Sequence, residues 1–343
     1  MKLIDIDTLC QMISRIGLNN FYVQLIQTLE NDFSRWHTFY KSPRHATHYS
    51  HGVIELMPCS NDEFYSFKYV NGHPDNTRDN KLCVVAMGLL SEVASGYPLM
   101  ISEMTLLTAL RTAATAALAA RYLARKDSQL LAIIGTGAQA EFQAHAFMAQ
   151  FPIQQISYFD IDPLAMDKFE KNMRPALAKH SDALLRCDTI AAAVRAADII
   201  VTATAAKKRL ELFTAEQIKP GTHIHAMGGD CPGKTEFSPA ILKHCKVVVE
   251  YTPQSRAEGE IQQGEEALID AELWEIITGK KPGRENNSEI TFFDSVGFAL
   301  EDFSILKLVY QLAQEMKLGK DINLIPNLDN AKNLFSLIQG HTK

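Results

Sequence analysis

The chain has 343 residues, 46% of them hydrophobic and 22% charged, with a net charge of −6. That is the mix of one large or two ordinary globular domains with a sizeable core. It offers no basic face for nucleic acid and no uncharged apolar stretch of the ~18 residues a bilayer requires. Asp5 and Asp7 stand where a signal peptide would have its apolar centre. The six cysteines (10, 59, 83, 187, 231 and 245) are scattered without a C-x-x-C pair, which predicts reduced thiols in a cytoplasmic protein and no zinc site.

Taken in chain order, the periodicity predicts helix through about residue 40, where "FYVQLIQTLENDFSRWHTFY" spaces its apolar residues by three and four. "GVIELMP", "FYSFKYVNGHP", "KLCVVAMGLL" and "YPLMISE" then predict an antiparallel or mixed sheet up to about residue 105. An Ala-rich helix, "TALRTAATAALAARYLAR" (108–125), has the small residues that close packing needs. From there the texture changes. "LLAIIGTG", "QISYFDI", "AADIIVTAT", "THIHAMGG", "CKVVVEY" and "EITFFDSVG" are short apolar runs, separated by helical patterns at "AQAEFQAHAFMAQ" and from residue 163. Such alternation predicts an α/β fold: a doubly wound parallel sheet of Rossmann type beside a mixed α+β unit. A long helix, "FALEDFSILKLVYQLAQEM", is expected to end the regular structure.

"LAIIGTGAQAEFQ" carries Gly135-x-Gly137-x-x-Ala140 directly after a buried strand and at the start of a helix. Gly135 permits the tight turn, Gly137 lets the backbone approach a pyrophosphate at the helix N-terminus, and Ala140 keeps helix and strand close. The next strand ends in Asp160, 25 residues after Gly135, where a carboxylate accepts from ribose hydroxyls. No arginine follows it to pair a 2′-phosphate, so the expected cofactor is NAD rather than NADP. Later strand ends place Thr204 and the loop 227–230 beside the nicotinamide half.

The loop "MGGDCPGKTE" (227–236) leaves Asp230 two readings: a catalytic carboxylate on a loop open to a flat ligand, or a turn carboxylate. Lys234, taken singly, reads as solvated. Arg44, Glu55, Lys68 and Arg111 each read singly as surface charges; converging, the cations would clamp a carboxylate. In "HATHYSH" (45–51) a spacing of three in a strand does not gather histidines on one face, so no metal site is expected.

"KSPRHATHYSHGVIELMP", "FKYVNGHP", "SGYPLMISEMTLLTALRTAATAALAARYLAR", "IGTGAQAEFQ", "GGDCPGKTE", "EYTPQSRAEGEIQQ" and "FFDSVGFALED" resemble the ornithine cyclodeaminase/mu-crystallin family over residues 5 to 335 or so. The resemblance implies a cytoplasmic homodimer converting L-ornithine to L-proline and ammonia, with a hydride lent to a tightly held NAD and returned. It implies a substrate-binding and dimerisation domain of residues 1–117 and 304–343, and an NAD-binding domain of residues 118–303. By position, Arg44, Lys68, Arg111 and Val296 would meet substrate. Asp230 would be the catalytic acid/base, supported by Glu55. Gly135, Gly137, Ala138, Gln139, Asp160, Thr204, Met227, Gly228, Gly229, Lys234 and Ser295 would line NAD. The pattern departs at Cys83, where relatives carry a cofactor-reaching threonine; a thiol there is a weaker hydrogen-bond partner. Lysine cyclodeaminases, ketimine reductases and amino-acid dehydrogenases share the clamp, and a non-catalytic crystallin-like NAD(P)-binding protein would share the fold.

Overall fold

A computed structural model describes residues 1–177, 183–206, 208–264 and 268–339, and two eight-stranded sheets organise them. The first sheet starts with β1 (Lys2–Ile4), followed by α1 (Ile6–Ile16) and α2 (Leu18–Ser34). Asp5 caps α1, its carboxylate accepting from Thr8 N at 3.0 Å. Phe21, Leu25, Leu29 and Phe33 recur every four residues along α2 and are all buried. Each such burial stabilises the fold by about 1.5–3 kcal/mol.

Next come β2 (Tyr40–Lys41), β3 (His45–Tyr49), β4 (Gly52–Ser60), β5 (Phe64–Gly72), β6 (Ala86–Glu92) and β7 (Pro98–Glu103). β4 to β7 form an antiparallel meander, β2 and β3 both pair with β4, and β1 joins β7 in parallel. "KLCVV", expected to open a strand, does not. A 3₁₀ turn over Pro74–Asp79 and a left-handed Asn80 (φ 55°) precede it, and β6 begins only at Ala86. α3 (Thr105–Leu123) is buried on almost every side, as its alanines allow.

The second sheet is built from β8 (Leu130–Ile134), α4 (Ala140–Gln150), β9 (Gln155–Phe159), α5 (Pro163–Met173), β10 (Leu184–Arg186), α6 (Ile190–Val194), β11 (Ile199–Thr202), β12 (His223–Ala226), α7 (Pro239–Leu242), β13 (Lys246–Val249), α8 (Thr252–Glu258), β14 (Ala271–Glu272), α9 (Leu273–Ile277) and β15 (Thr291–Asp294). Its strand order is β10-β9-β8-β11-β12-β15-β13-β14, parallel throughout. The winding reverses between β8 and β11, which opens a crevice at the carboxyl ends of those strands.

α10 (Ala299–Glu315) then returns to the first sheet, lying across β4, β5 and β6 and against α2 and α3. Regular structure does not end there, contrary to expectation. Gly319 (φ 90°) turns the chain, and β16 (Lys320–Asp321) pairs with β1 before a last helix, α11 (Ser336–Gln339). One hydrophobic core lies among α2, α3, α10 and the first sheet, and two others cover the faces of the second. No disulfide joins any of the six cysteines.

Candidate active site

Five strand ends meet at the crevice. After β8, Gly135 adopts φ 95°, and a Cβ there would lie 2.6 Å from the Ala203 carbonyl oxygen. Only glycine serves both needs. A Cβ on Gly137 would meet no atom within 4 Å, so the backbone there faces open space. Gln139 begins α4 without a side-chain cap, leaving the helix N-terminus to an outside acceptor. After β9, Asp160 accepts from Thr136 N at 2.6 Å and Thr136 Oγ1 at 3.2 Å. After β11, Thr204 N donates to Glu236 at 2.7 Å, while its buried hydroxyl has no hydrogen-bond partner among the described residues. After β12, Met227 Sδ lies 3.3 Å from Gln143 Nε2, and Gly228 N donates to Glu236 at 2.9 Å. After β15, Ser295 Oγ donates to Glu250 at 2.7 Å. Open space at Gly137, an uncapped helix start, the Asp160 carboxylate and an orphaned Thr204 hydroxyl suit a dinucleotide.

The loop after β12 carries a second arrangement. Asp230 is exposed, and its carboxylate pairs with Lys234 Nζ at 2.9 Å. Lys234 itself is buried, which corrects its reading as a solvated charge; Asp230 supplies the counterion that makes burial tolerable. Beneath the loop lie acids that are not evident from the sequence. Glu236 accepts from Thr202 Oγ1, Thr204 N and Gly228 N; Glu260 accepts from the Glu236 and Phe237 amides; Asp294 accepts from the Glu260 and Ile261 amides. Each step has its glycine. A Cβ on Gly228, Gly229 or Gly259 would fall 2.1, 2.4 or 2.3 Å from the carboxyl group of Glu236, Glu260 or Asp294 respectively. Burial, with Asp294 and Glu236 adding to it, pushes the Glu260 carboxyl up to about 9, and burial raises Asp294 to about 7.

The four charges of the first sheet's unit do converge. Strand alternation puts Glu55 and Lys68 on the face that α10 covers. Lys68 Nζ binds Asp302 at 2.8 Å, and Arg111 binds Glu301 at 2.6 Å and approaches Asp302 at 3.1 Å. Arg44 binds Glu55 at 3.1 Å and donates to the Val296 and Gly297 carbonyls at 3.1 and 2.7 Å. It thereby ties the first sheet's charges to the loop after β15. Gly297 (φ 83°) leaves the space that Arg111 fills. Arg44 is partly buried, while Glu55, Lys68 and Arg111 are buried, so their reading as surface charges is corrected. Burial, reinforced by the Arg111 guanidinium, pushes the Lys68 ammonium down to about 8, still charged at neutral pH. Burial opposes the charge on Arg111, but Asp302 and Glu301 outweigh it and raise its pKa.

Cys83 sits in the segment before β6, its thiol 3.6 Å from the Pro74 carbonyl oxygen, a contact within its own loop. Strand β3 puts His45 and His48 on opposite faces, and among the described residues no group of three or more metal-ligating side chains could hold a metal ion. The sequence reasoning missed Glu236, Glu250, Glu258, Glu260, Asp294, Glu301 and Asp302. A usable signal was present: "VVVE", "FFD" and "FALEDFSI" set acids inside apolar runs, where an acid needs a partner.

The model of the ornithine cyclodeaminase/mu-crystallin family matches residues 6–317. The chain belongs to that family. A family relative, the ornithine cyclodeaminase of Agrobacterium tumefaciens, is 46% identical over 335 residues, 98% of this chain and 93% of the relative. Among solved structures, an archaeal alanine dehydrogenase dimer with bound NAD superposes with a TM-score of 0.86 at 30% identity, covering 95% of this chain and 99% of that one. A lysine cyclodeaminase, solved to explain recognition of L-lysine, L-ornithine and L-2,4-diaminobutyric acid, superposes with a TM-score of 0.90 at 26% identity, covering 98% and 99%. Family membership agrees with the Rossmann-type sheet and the glycine loop described above.

Proposed function

We propose that this protein is an NAD-dependent ornithine cyclodeaminase, converting L-ornithine to L-proline and ammonia. The observation that carries the proposal is the meeting of two charge sets at one crevice. Arg44, Lys68 and Arg111 converge beside the loop after β15, and Asp230 with Lys234 stands on the loop after β12. Near-full-length likeness to an ornithine cyclodeaminase supports the same reading.

When bound, NAD supplies a reversible hydride acceptor, which a redox-neutral deamination needs. Gly137, Gln139 and the uncapped start of α4 would hold its pyrophosphate, and Asp160 its ribose; Thr204, Met227, Gly228, Gly229 and Ser295 would line the rest. The protein's own groups bind and move protons. The three cations hold the substrate carboxylate, which fixes Cα for reaction, with Val296 alongside. The δ-amine has a free pKa near that of lysine, about 10.4, and must lose a proton before it can act as a nucleophile. Asp230, exposed to the crevice, takes and returns that proton. Glu55, held in place by Arg44 at 3.1 Å, supports it from the first sheet.

The proposal includes a substrate and dimerisation unit of residues 1–117 and 304–343, of which 340–343 lie outside the described residues, and a cofactor unit of residues 118–303. The face of the first sheet turned away from α10 exposes Leu56 and Met87, in register with Tyr69 between them, which suits a homodimer. No described helix is long and apolar enough to cross a membrane. We place the protein in the cytoplasm, turning ornithine towards proline. Incubation with L-ornithine and substoichiometric NAD tests this: proline and ammonia should accumulate together without net NADH. L-Lysine in place of ornithine tests for the homologous product, pipecolate. Conversion of the added NAD to NADH, with the reaction stopping once that NAD is consumed, would indicate a dehydrogenase instead.

A further inference from the structure

Four consecutive residues of the loop after β15 aim their donors at two acids. Ser295 Oγ donates to Glu250 at 2.7 Å, and the Val296 and Gly297 amides donate to it at 3.1 and 2.7 Å. The next amide, that of Phe298, donates to Glu301 at 3.2 Å. Glu250 follows β13 and Glu301 lies in the first turn of α10, so the two carboxyl groups come together from a strand end and a helix start. Both are buried, and they are in hydrogen-bonding contact with each other. Two carboxylates have no hydrogen to share, so one of the pair must carry a proton. Arg111 Nη1 donates to Glu301 at 2.6 Å, and a Cβ on Gly297 would lie 2.5 Å from the same nitrogen. The guanidinium is thus seated between the acid pair and the loop.

The charges around Arg111 require the same proton. Lys68 binds Asp302 at 2.8 Å, and Arg111 Nε approaches that carboxylate at 3.1 Å without aligning for a hydrogen bond. Arg44 faces Glu55 and Glu258 instead. Lys68 and Arg111 therefore stand against three buried acids, Glu250, Glu301 and Asp302. Fully ionised, the cluster would hold one uncompensated negative charge where a substrate carboxylate has to bind; one proton removes it. Burial and the negative charge of Glu250 push the Glu301 carboxyl well above the usual carboxylate range, with Arg111 opposing them and Asp302 adding to them. Burial raises Glu250 too, but Ser295, Glu301, Arg111 and the Gly297 amide all favour its charged form.

We propose that Glu250 and Glu301 share one proton, carried on Glu301, and that this acid–carboxylate pair positions Arg111 and the 295–298 loop for the substrate. The proton lets Glu301 donate to Glu250 while an oxygen of the same group accepts from Arg111. One bridge then ties the guanidinium to the loop that carries Ser295 and Val296. It also leaves the clamp without the excess negative charge that would repel a carboxylate. The part played in substrate binding rests on the cyclodeaminase reading above; the proton itself does not.

Thermal unfolding of the full chain with NAD and no substrate, from about pH 5 to about pH 8, tests the proton. An unfolded glutamate releases its proton near pH 4.3, about the free value. Folded, Glu301 keeps it, so wild type loses stability as pH rises across that window. Glu301→Gln puts an amide N–H where the acid O–H stood and needs no proton. Its melting temperature relative to wild type should therefore improve as pH rises. Glu250→Gln should show the same trend, Glu301 then being ionised. The double variant leaves two cations with one acid and should lose more than the sum of the single changes. A pH-independent offset in both single variants, failure of both to fold, or an additive double variant overturns the shared proton. Affinity for L-ornithine, read by ligand-induced thermal shift, tests the positioning. Glu301→Leu, which can bridge neither partner, should weaken it about tenfold more than Glu301→Gln does, the size of a lost charge-assisted bond; equal weakening overturns that role. The glutamine trend in a protein that forms no proline would leave the shared proton standing and refute the cyclodeaminase reading; proline formation with a flat offset would do the reverse.

Discussion

The two glycine-bearing loops of the crevice look alike in sequence and use glycine for opposite ends. At 135–137 the missing side chain of Gly137 leaves open space beside a helix start with no cap of its own. At 228–229 the missing side chains are replaced by the protein's own carboxyl groups, those of Glu236 and Glu260. One loop is shaped for a ligand's backbone contact. The other is shaped so that buried acids can fasten it from below while Asp230 stands exposed above. A glycine pair in a loop is thus no sign of a ligand until it is known what fills the space.

Mutations should separate the loops. The largest effect belongs to Asp230→Asn. The side chain is exposed and pairs only with Lys234 among the described contacts, so the fold and NAD binding should survive while turnover falls about 10²–10⁴-fold, the range for lost acid–base catalysis. A variant that still forms proline at near-normal rate would move the chemistry elsewhere. Gly228→Ala comes next. Its Cβ would sit 2.1 Å from a Glu236 carboxyl group already fixed by three hydrogen bonds, and overpacking of that kind costs about 1–3 kcal/mol. Its melting temperature should fall even without NAD. Gly137→Ala should show the reverse signature: an unchanged melting temperature in the NAD-free protein, and NAD affinity reduced about tenfold, the equivalent of about 1.4 kcal/mol. If the two alanine variants behave alike, the contrast between the loops is wrong.

A smaller effect tests the clamp. Lys68 must be protonated to hold a carboxylate, and burial brings its pKa down to about 8. Below that value it is charged and substrate affinity is level. As pH rises through it the charge is lost, so the KM for ornithine should climb by up to about tenfold per pH unit above about 8. Lys68→Arg, which stays charged at these pH values, should flatten the rise even if its KM is higher throughout.

Much of the second sheet was legible because buried parallel strands are short apolar runs, and β8, β9, β11, β12, β13 and β15 lie where "LLAII", "QISYF", "IIVT", "HIHA", "KVVV" and "TFFD" stand. The glycine loop after β8 was legible for the same reason: its local context is complete within one strand and one helix. The charges were not. Arg111 is buried because Glu301, 190 residues away, meets it, and Lys68 because Asp302, 234 residues away, does. A lone charge in a strand or helix carries no mark of a partner so distant, and its ordinary fate is the surface. Glu236 and Glu260, under the 228–230 loop, were hidden likewise, since they are met by backbone amides brought near only by the folded crevice.

The central claim is that the hydrogen removed from C2 of ornithine is the one that returns to C2 of the cyclised product, as a reversible hydride acceptor such as NAD would allow. Single-turnover conversion of L-[2-²H]ornithine in ordinary water tests it directly. The account predicts proline that carries the deuterium at C2, one ammonia per proline, and no accumulated NADH. Proline without deuterium, or deuterium left in the nucleotide with no proline formed, would contradict it.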